Sequence, residues 1–191
     1  MTRRGVAGQI AAVDQAVYDA IAGTPTPALD DPLRRLSRAA DKSRIWLALA
    51  ALLAVAGGPA GRRAAVRGTL AIGVTSALVN LAIKPIGRRT RPDRARAGVP
   101  GDRQVQMPES TSFPSGHSAS AFAFATAISR DRPWVALGAG FLAATVAYSR
   151  VHTGVHYPGD TVIGSLIGAS TGLAVTGLLD RRAPRGAQPT P

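Results

Sequence analysis

Ser149–Asp160 reads SRVHTGVHYPGD. This short stretch carries Arg150, His152, His156 and Asp160, and it lies between two uncharged apolar runs, 133–149 and 161–179. Tyr157-Pro158-Gly159 interrupts any helix there, because proline removes a backbone donor and glycine favours turns. The stretch therefore joins two apolar helices and collects its charge at one end of them. The chain has three histidines, two of them here; the third, His117, opens another uncharged run within Phe113-Pro-Ser-Gly-His117. Surface histidines would be scattered, and core histidines would fall inside the apolar runs. This placement points to chemistry.

Working outward, 191 residues is the size of one domain. No cysteine is present, which rules out a disulfide framework and thiolate metal sites. The formal net charge of +12 suits a polyanionic partner: nucleic acid, phosphate groups or an anionic membrane surface. A mean hydropathy of +0.09 resembles that of a soluble protein, but the average conceals segregation, with charges in blocks between long uncharged stretches.

Those stretches are 45–57, 68–83, 117–129, 133–149 and 161–179. Crossing the hydrocarbon core takes about 20 apolar residues, with about 17 as the lower limit. The last two runs qualify alone. The second is lengthened by Ala64–Val66 if Arg67 snorkels to the interface, and 45–57 and 117–129 need their flanking residues. All are rich in Ala, Gly, Ser and Thr, which allows close helix approach in lipid. The expected fold is all-α: a polytopic membrane bundle of about five transmembrane helices over 45–179, preceded by an amphipathic region, 1–44, and followed by a disordered tail, 180–191. No secretory signal peptide is evident at the N-terminus. Ile10, Val13, Val17 and Ile21 line one face of a first amphipathic helix opposite Asp14, Gln15 and Asp19. Leu29, Leu33 and Leu36 oppose Arg34, Arg35 and Arg38 on a second, which lies in the membrane interface or packs on the fold.

Five antiparallel spans bring three segments to one face: Lys84–Pro92, Pro114–His117 and Ser149–Asp160. That side holds 15 of the 23 basic residues, a modest bias that places it in the cytoplasm. Pooled, the segments supply Lys84, Arg91 and Arg150 as cations, His117 and His156 as imidazoles, and Asp160 as a carboxylate. Ser115 and Gly116 add backbone N–H groups at a helix start, which favour anions. Three cations with such a terminus make a phosphate pocket, since arginine can grip two phosphate oxygens at once. Two imidazoles and a carboxylate then suggest phosphoryl transfer through phosphohistidine. One imidazole attacks phosphorus while a carboxylate on its far nitrogen fixes the tautomer. The other protonates the leaving oxygen and later activates water.

The three segments closely resemble the signature of the type 2 phosphatidic acid phosphatase (PAP2) family, which is related to vanadium haloperoxidases. The family pattern KxxxxxxRP, PSGH, SRxxxxxHxxxD is met by Lys84 with Arg91-Pro92, by Pro114–His117, and by Ser149-Arg150 with His156 and Asp160, every spacing kept. The resemblance implies a PAP2/haloperoxidase-like helical core and a metal-independent lipid phosphate phosphatase, with no cofactor. His156 would be the nucleophile, Asp160 its partner and His117 the acid/base, while Lys84, Arg91, Ser115, Gly116 and Arg150 would hold the phosphate. Many members have six spans, and here the amphipathic region stands where another would be. The small, Ala- and Arg-rich chain also looks like actinobacterial members. That implies a bacterial plasma membrane and, as substrate, a polyprenyl-linked phosphosugar of cell-wall synthesis such as decaprenylphosphoryl-5-phosphoribose. Phosphatidylglycerophosphate, phosphatidic acid and polyprenyl pyrophosphate are alternatives.

Taken singly, the residues have plainer readings: Asp160 and Ser115 as helix N-caps, Arg150 as an interfacial anchor, His152 as structural or substrate-adjacent. Arg88, Arg89, Arg94, Arg96 and Arg103 read as positive-inside charge or head-group contacts. A zinc site on His152, His156 and Asp160 is opposed by the broken helix and the neighbouring cations. A membrane transporter or scaffold would place charges inside the spans, not at one end. A nucleic-acid interface would need stacking aromatics that the basic loop lacks.

Overall fold

The computed structural model describes residues 5–182, and every described element is helical. Helix α1 (Val6–Gly23) and α2 (Pro27–Ala39) precede the bundle. They are followed by α3 (Arg44–Ala56) and α4 (Gly58–Ala77). A π-helical turn, Leu78–Ile83, carries α4 into the short α5 (Lys84–Gly87). Helices α6 (Gly116–Ile128), α7 (Pro133–His152) and α8 (Pro158–Arg182) complete the chain. The expected helical bundle is present.

Three helical stretches are long and apolar enough to cross a membrane: Gly58–Gly87, Pro133–His152 and Pro158–Arg182. Helices α3 and α6 have 13 residues each, about 20 Å at 1.5 Å per residue, short of the hydrocarbon thickness. Helix α6 is the centre of the bundle, with Ala119, Ala121, Ala123 and Phe124 fully buried. Its apolar run is therefore covered by protein on nearly every side.

Helix α8 packs most intimately on α6, and small residues make this possible. Gly164, Gly168 and Gly172 recur every four residues and rest on the α6 backbone; a Cβ at Gly168 would lie 2.0 Å from the Ala119 carbonyl oxygen. At the end of the bundle away from Lys84, Arg67 donates to Asp180 at 2.6 Å and sits 3.0 Å from Asp131. It is thus an internal ion-pair partner and does not snorkel. Asp180 also meets Arg130, so α8 continues three residues past its expected end at 179. The rest of the expected tail, 183–191, lies outside the described residues.

The two N-terminal helices dock through different kinds of face. Helix α1 buries Asp14, Tyr18 and Ala22, while Val6, Ile10 and Val13 are 73%, 65% and 64% exposed. Asp14 and Tyr18 therefore meet the protein, while most of the apolar stripe faces outward. Helix α2 packs the other way, burying Leu33 and Ser37 against the fold, with α7 its main neighbour.

Candidate active site

Four helix ends meet at one face: the α4–α5 end, the α6 and α8 N-termini and the α7 C-terminus. A cavity of about 240 Å³ opens there, lined by Lys84, Arg91, Gly116, His117 and His156 among others. The three sequence segments do converge. Ser115, Arg150 and Asp160 lie behind this lining and are buried.

His156 is 2% exposed. Arg91 Nη1 lies 3.3 Å from its Nε2. A guanidinium has only donors, so Nε2 must present a lone pair and the ring proton must sit on Nδ1. That nitrogen is 3.4 Å from Asp160 Oδ2, a loose ion-pair contact. Burial pushes the imidazole down to about 3, against the upward pull of the Asp160 carboxylate. The result is a neutral imidazole at ordinary pH with its lone pair directed at Arg91. Arg91 is itself fixed by the Ser110, Val155 and Thr111 carbonyls, Val155 at 2.7 Å. Lys84 Nζ donates to Ser110 Oγ at 3.0 Å, so both lining cations share one anchor.

Asp160 is not an N-cap. Pro158 opens α8, and Asp160, in its first turn, accepts from the Tyr157 backbone N–H at 3.0 Å, as the acidic residue of a capping box does. Ser112 Oγ also donates to it. Ser115 does cap α6: its side chain accepts from the Ser118 N–H. A backbone bond from Ser115 N–H to the Asp160 carbonyl, 2.9 Å, ties the two segments together.

His117, on the first turn of α6, bonds through Nε2 to Asp41 Oδ1 at 2.8 Å. Asp41 belongs to the turn joining α2 to α3, where Lys42 and Ser43 take positive φ. Its hydrogen bond with His117 holds its carboxyl below the usual carboxylate range. Arg150 is no interfacial anchor: it is 2% exposed and donates to Ser37 Oγ at 2.6 Å, with Asp41 Oδ1 at 3.9 Å. It borders an adjoining cavity with Arg38, Asp41, Arg44 and Glu109.

Sequence reasoning missed the N-terminal contribution. Besides Asp41, Asp14 pairs with Arg89, and Asp30 pairs with the buried Arg103 and with His152 Nε2 at 3.1 Å. Arg89, Arg94 and Arg103, expected at the membrane surface, instead bind carboxylates and carbonyls inside the fold; Arg88 and Arg96 are exposed. The signal was a count of carboxylates: Asp14, Asp30 and Asp41, all before residue 45, each face a basic residue of the loop or motifs. His152 turns away from His156 to Asp30 and Thr26. Of the residues of the zinc reading, His152 therefore stands apart from His156 and Asp160, and no three His, Cys, Asp or Glu side chains cluster for a metal among the described residues.

The PAP2 superfamily profile matches residues 65–184. The chain belongs to that family. It is 34% identical over 182 residues to the decaprenylphosphoryl-5-phosphoribose phosphatase of Mycobacterium tuberculosis, covering 92% of this chain and 93% of that protein. It is 38% identical over 158 residues to the Mycolicibacterium smegmatis protein of the same name, covering 80% and 79%. Among solved structures, the PAP2-type phosphatidylglycerolphosphate phosphatase of Bacillus subtilis superposes with a TM-score of 0.71 at 24% identity. That superposition covers 93% of this chain and 89% of the other, and it establishes a shared fold. This PAP2 protein is an integral membrane phosphatase, a phosphoric monoester hydrolase.

Proposed function

We propose that the protein hydrolyses a phosphomonoester of a membrane lipid through a phosphohistidine at His156. The observation that carries this is His156 Nε2, 3.3 Å from Arg91 Nη1, in a cavity that also presents Lys84 and His117. Nε2 attacks phosphorus as the phosphorus–lipid oxygen bond breaks, and His117, in its imidazolium form, gives that oxygen a proton and becomes neutral. Water then loses a proton to the neutral His117, attacks the phosphohistidine and releases inorganic phosphate, restoring the His156 imidazole and the His117 imidazolium. Asp160 holds the Nδ1 proton and stabilises the cationic phosphoimidazole. Lys84, Arg91 and the α6 N-terminus stabilise charge on the equatorial oxygens, the main requirement of phosphoryl transfer. No step calls for a metal.

The substrate we infer is a polyprenyl-linked phosphosugar of the decaprenylphosphoryl-5-phosphoribose type. Two curated relatives carry that name, and one aligns over nearly the whole chain. The polar cavity beside the phosphate site, bordered by Arg38, Arg44 and Glu109, offers groups for a hydroxylated head. From the modest basic bias we infer a site on the cytoplasmic face of a bacterial plasma membrane. The test is phosphate release in EDTA by detergent-purified protein. The panel holds polyprenylphosphoryl-5-phosphoribose, phosphatidylglycerophosphate, phosphatidic acid and polyprenyl pyrophosphate. Preference for the first supports the assignment; preference for another reassigns the head group, and loss of all turnover in EDTA contradicts the mechanism.

A further inference from the structure

Asp160 is gripped from a direction that the sequence motifs do not supply. Its Oδ2 faces His156, Ser112 and the Tyr157 N–H, while its Oδ1 accepts from Arg89 Nη1 at 2.9 Å. The other arm of that guanidinium, Nη2, donates to Asp14 Oδ2 of α1 at 2.6 Å. Asp14 Oδ1 accepts from the Gly159 N–H at 2.7 Å, one residue before Asp160. A Cβ at Gly159 would come 3.0 Å from Asp14 Oδ2, so glycine there admits the carboxylate. Arg89 also lies over the Tyr157 ring at 4.0 Å, and Tyr157 meets Tyr18 of α1 edge-on.

We propose that Arg89, held by Asp14, is a positioning residue for the catalytic carboxylate, which makes helix α1 part of the active-site machinery. A carboxylate can turn about its terminal torsion. With Oδ1 claimed by Arg89, Oδ2 stays directed at His156 Nδ1. The guanidinium also offsets repulsion between Asp160 and Asp14 and leaves the group of three with one net negative charge, which the phosphohistidine cation needs. Neither Arg89 nor Asp14 lines the phosphate cavity. The interaction therefore serves the chemical step and leaves substrate binding alone. The proposal rests on the reading of His156 as nucleophile and Asp160 as its partner.

The experiment measures kcat and KM of the full chain in detergent micelles on a short-chain polyprenylphosphoryl-5-phosphoribose. The variants are R89A, R89K, D14N, D160N, R89A/D160N, D14N/D160N and H156A. For R89A, kcat should fall about 10- to 100-fold, with KM changed less than about threefold. R89K should recover part of the loss, and D14N should lose about fivefold. In the D160N background, R89A should cost less than about twofold more, because its target is already disabled. Wild-type kcat in R89A, or an equal loss with and without D160N, would overturn the proposal. If R89A does not fold, D14N measured with and without D160N decides the matter in the same way. Turnover surviving in H156A would sink the underlying mechanism. An inert H156A beside a fully active R89A would sink this inference alone.

Discussion

Asp41→Asn perturbs the second histidine with the least change of shape. Asp41 Oδ1 receives the His117 Nε2 hydrogen bond at 2.8 Å. The substitution keeps an acceptor oxygen and removes the charge. A hydrogen bond to a charged partner contributes about 1.5–3 kcal/mol and a neutral one about 1, a difference of about 0.5–2. The Asp41 side chain is 48% exposed, so solvent screening places the loss near the lower half of that range. About 1 kcal/mol on a step that creates imidazolium is about a fivefold loss. The loss should appear in kcat, because His117 charges during turnover. Arg150 lies 3.9 Å from the same oxygen and should add a KM change of less than about threefold. Steady-state turnover in EDTA measures both. Unchanged kcat in Asp41→Asn would refute the assignment of Asp41 as the group that orients and stabilises His117. A pure KM effect would make Asp41 only the keeper of Arg150.

Two further outcomes follow from the packing and from the buried imidazole. Gly168→Ala drives a methyl group into the Ala119 carbonyl, where a Cβ would sit at 2.0 Å. It should destabilise the α6–α8 pair by about 3 kcal/mol or more, read as a large drop in melting temperature in detergent. His156 has its folded pKa depressed to about 3 from an unfolded value near 6.5. Between those values the unfolded chain binds more protons, so stability rises with pH in that window and is lost as pH falls from 7 to 5, by up to about 2 kcal/mol. His156→Gln removes this dependence while His117 and His152 still titrate, so its melting temperature should fall less than wild type over the same range.

Much of this site was legible because motif spacing and apolar runs are local. Lys84, Arg91, His117 and His156 reach one cavity because each sits at a helix end, and the uncharged runs mark those helices. The short run 117–129 was harder: periodicity cannot separate a lipid-facing helix from one enclosed by protein, and α6 is enclosed. For residues 1–44 the docking face was not legible, because amphipathicity gives two faces without saying which one docks. On α1 the docked face is that of Asp14 and Tyr18, selected by Arg89 and Tyr157, which lie far away in sequence. The same holds for Asp41 on His117 and Asp30 on Arg103. Ion pairs across more than 60 residues leave no spacing pattern in a single chain, so the N-terminal carboxylates could be counted but not matched to their partners. A buried arginine such as Arg103 looks identical in sequence to the exposed Arg96.

The central claim is that His156 carries phosphate covalently. The most direct measurement is rapid alkaline quench of full-length protein turning over phosphoryl-labelled lipid in EDTA, followed by peptide mapping. A base-stable, acid-labile label should appear on the peptide containing His156, formed as fast as turnover and missing from His156→Ala. Normal turnover with no such label, or a label that persists in His156→Ala, would contradict it.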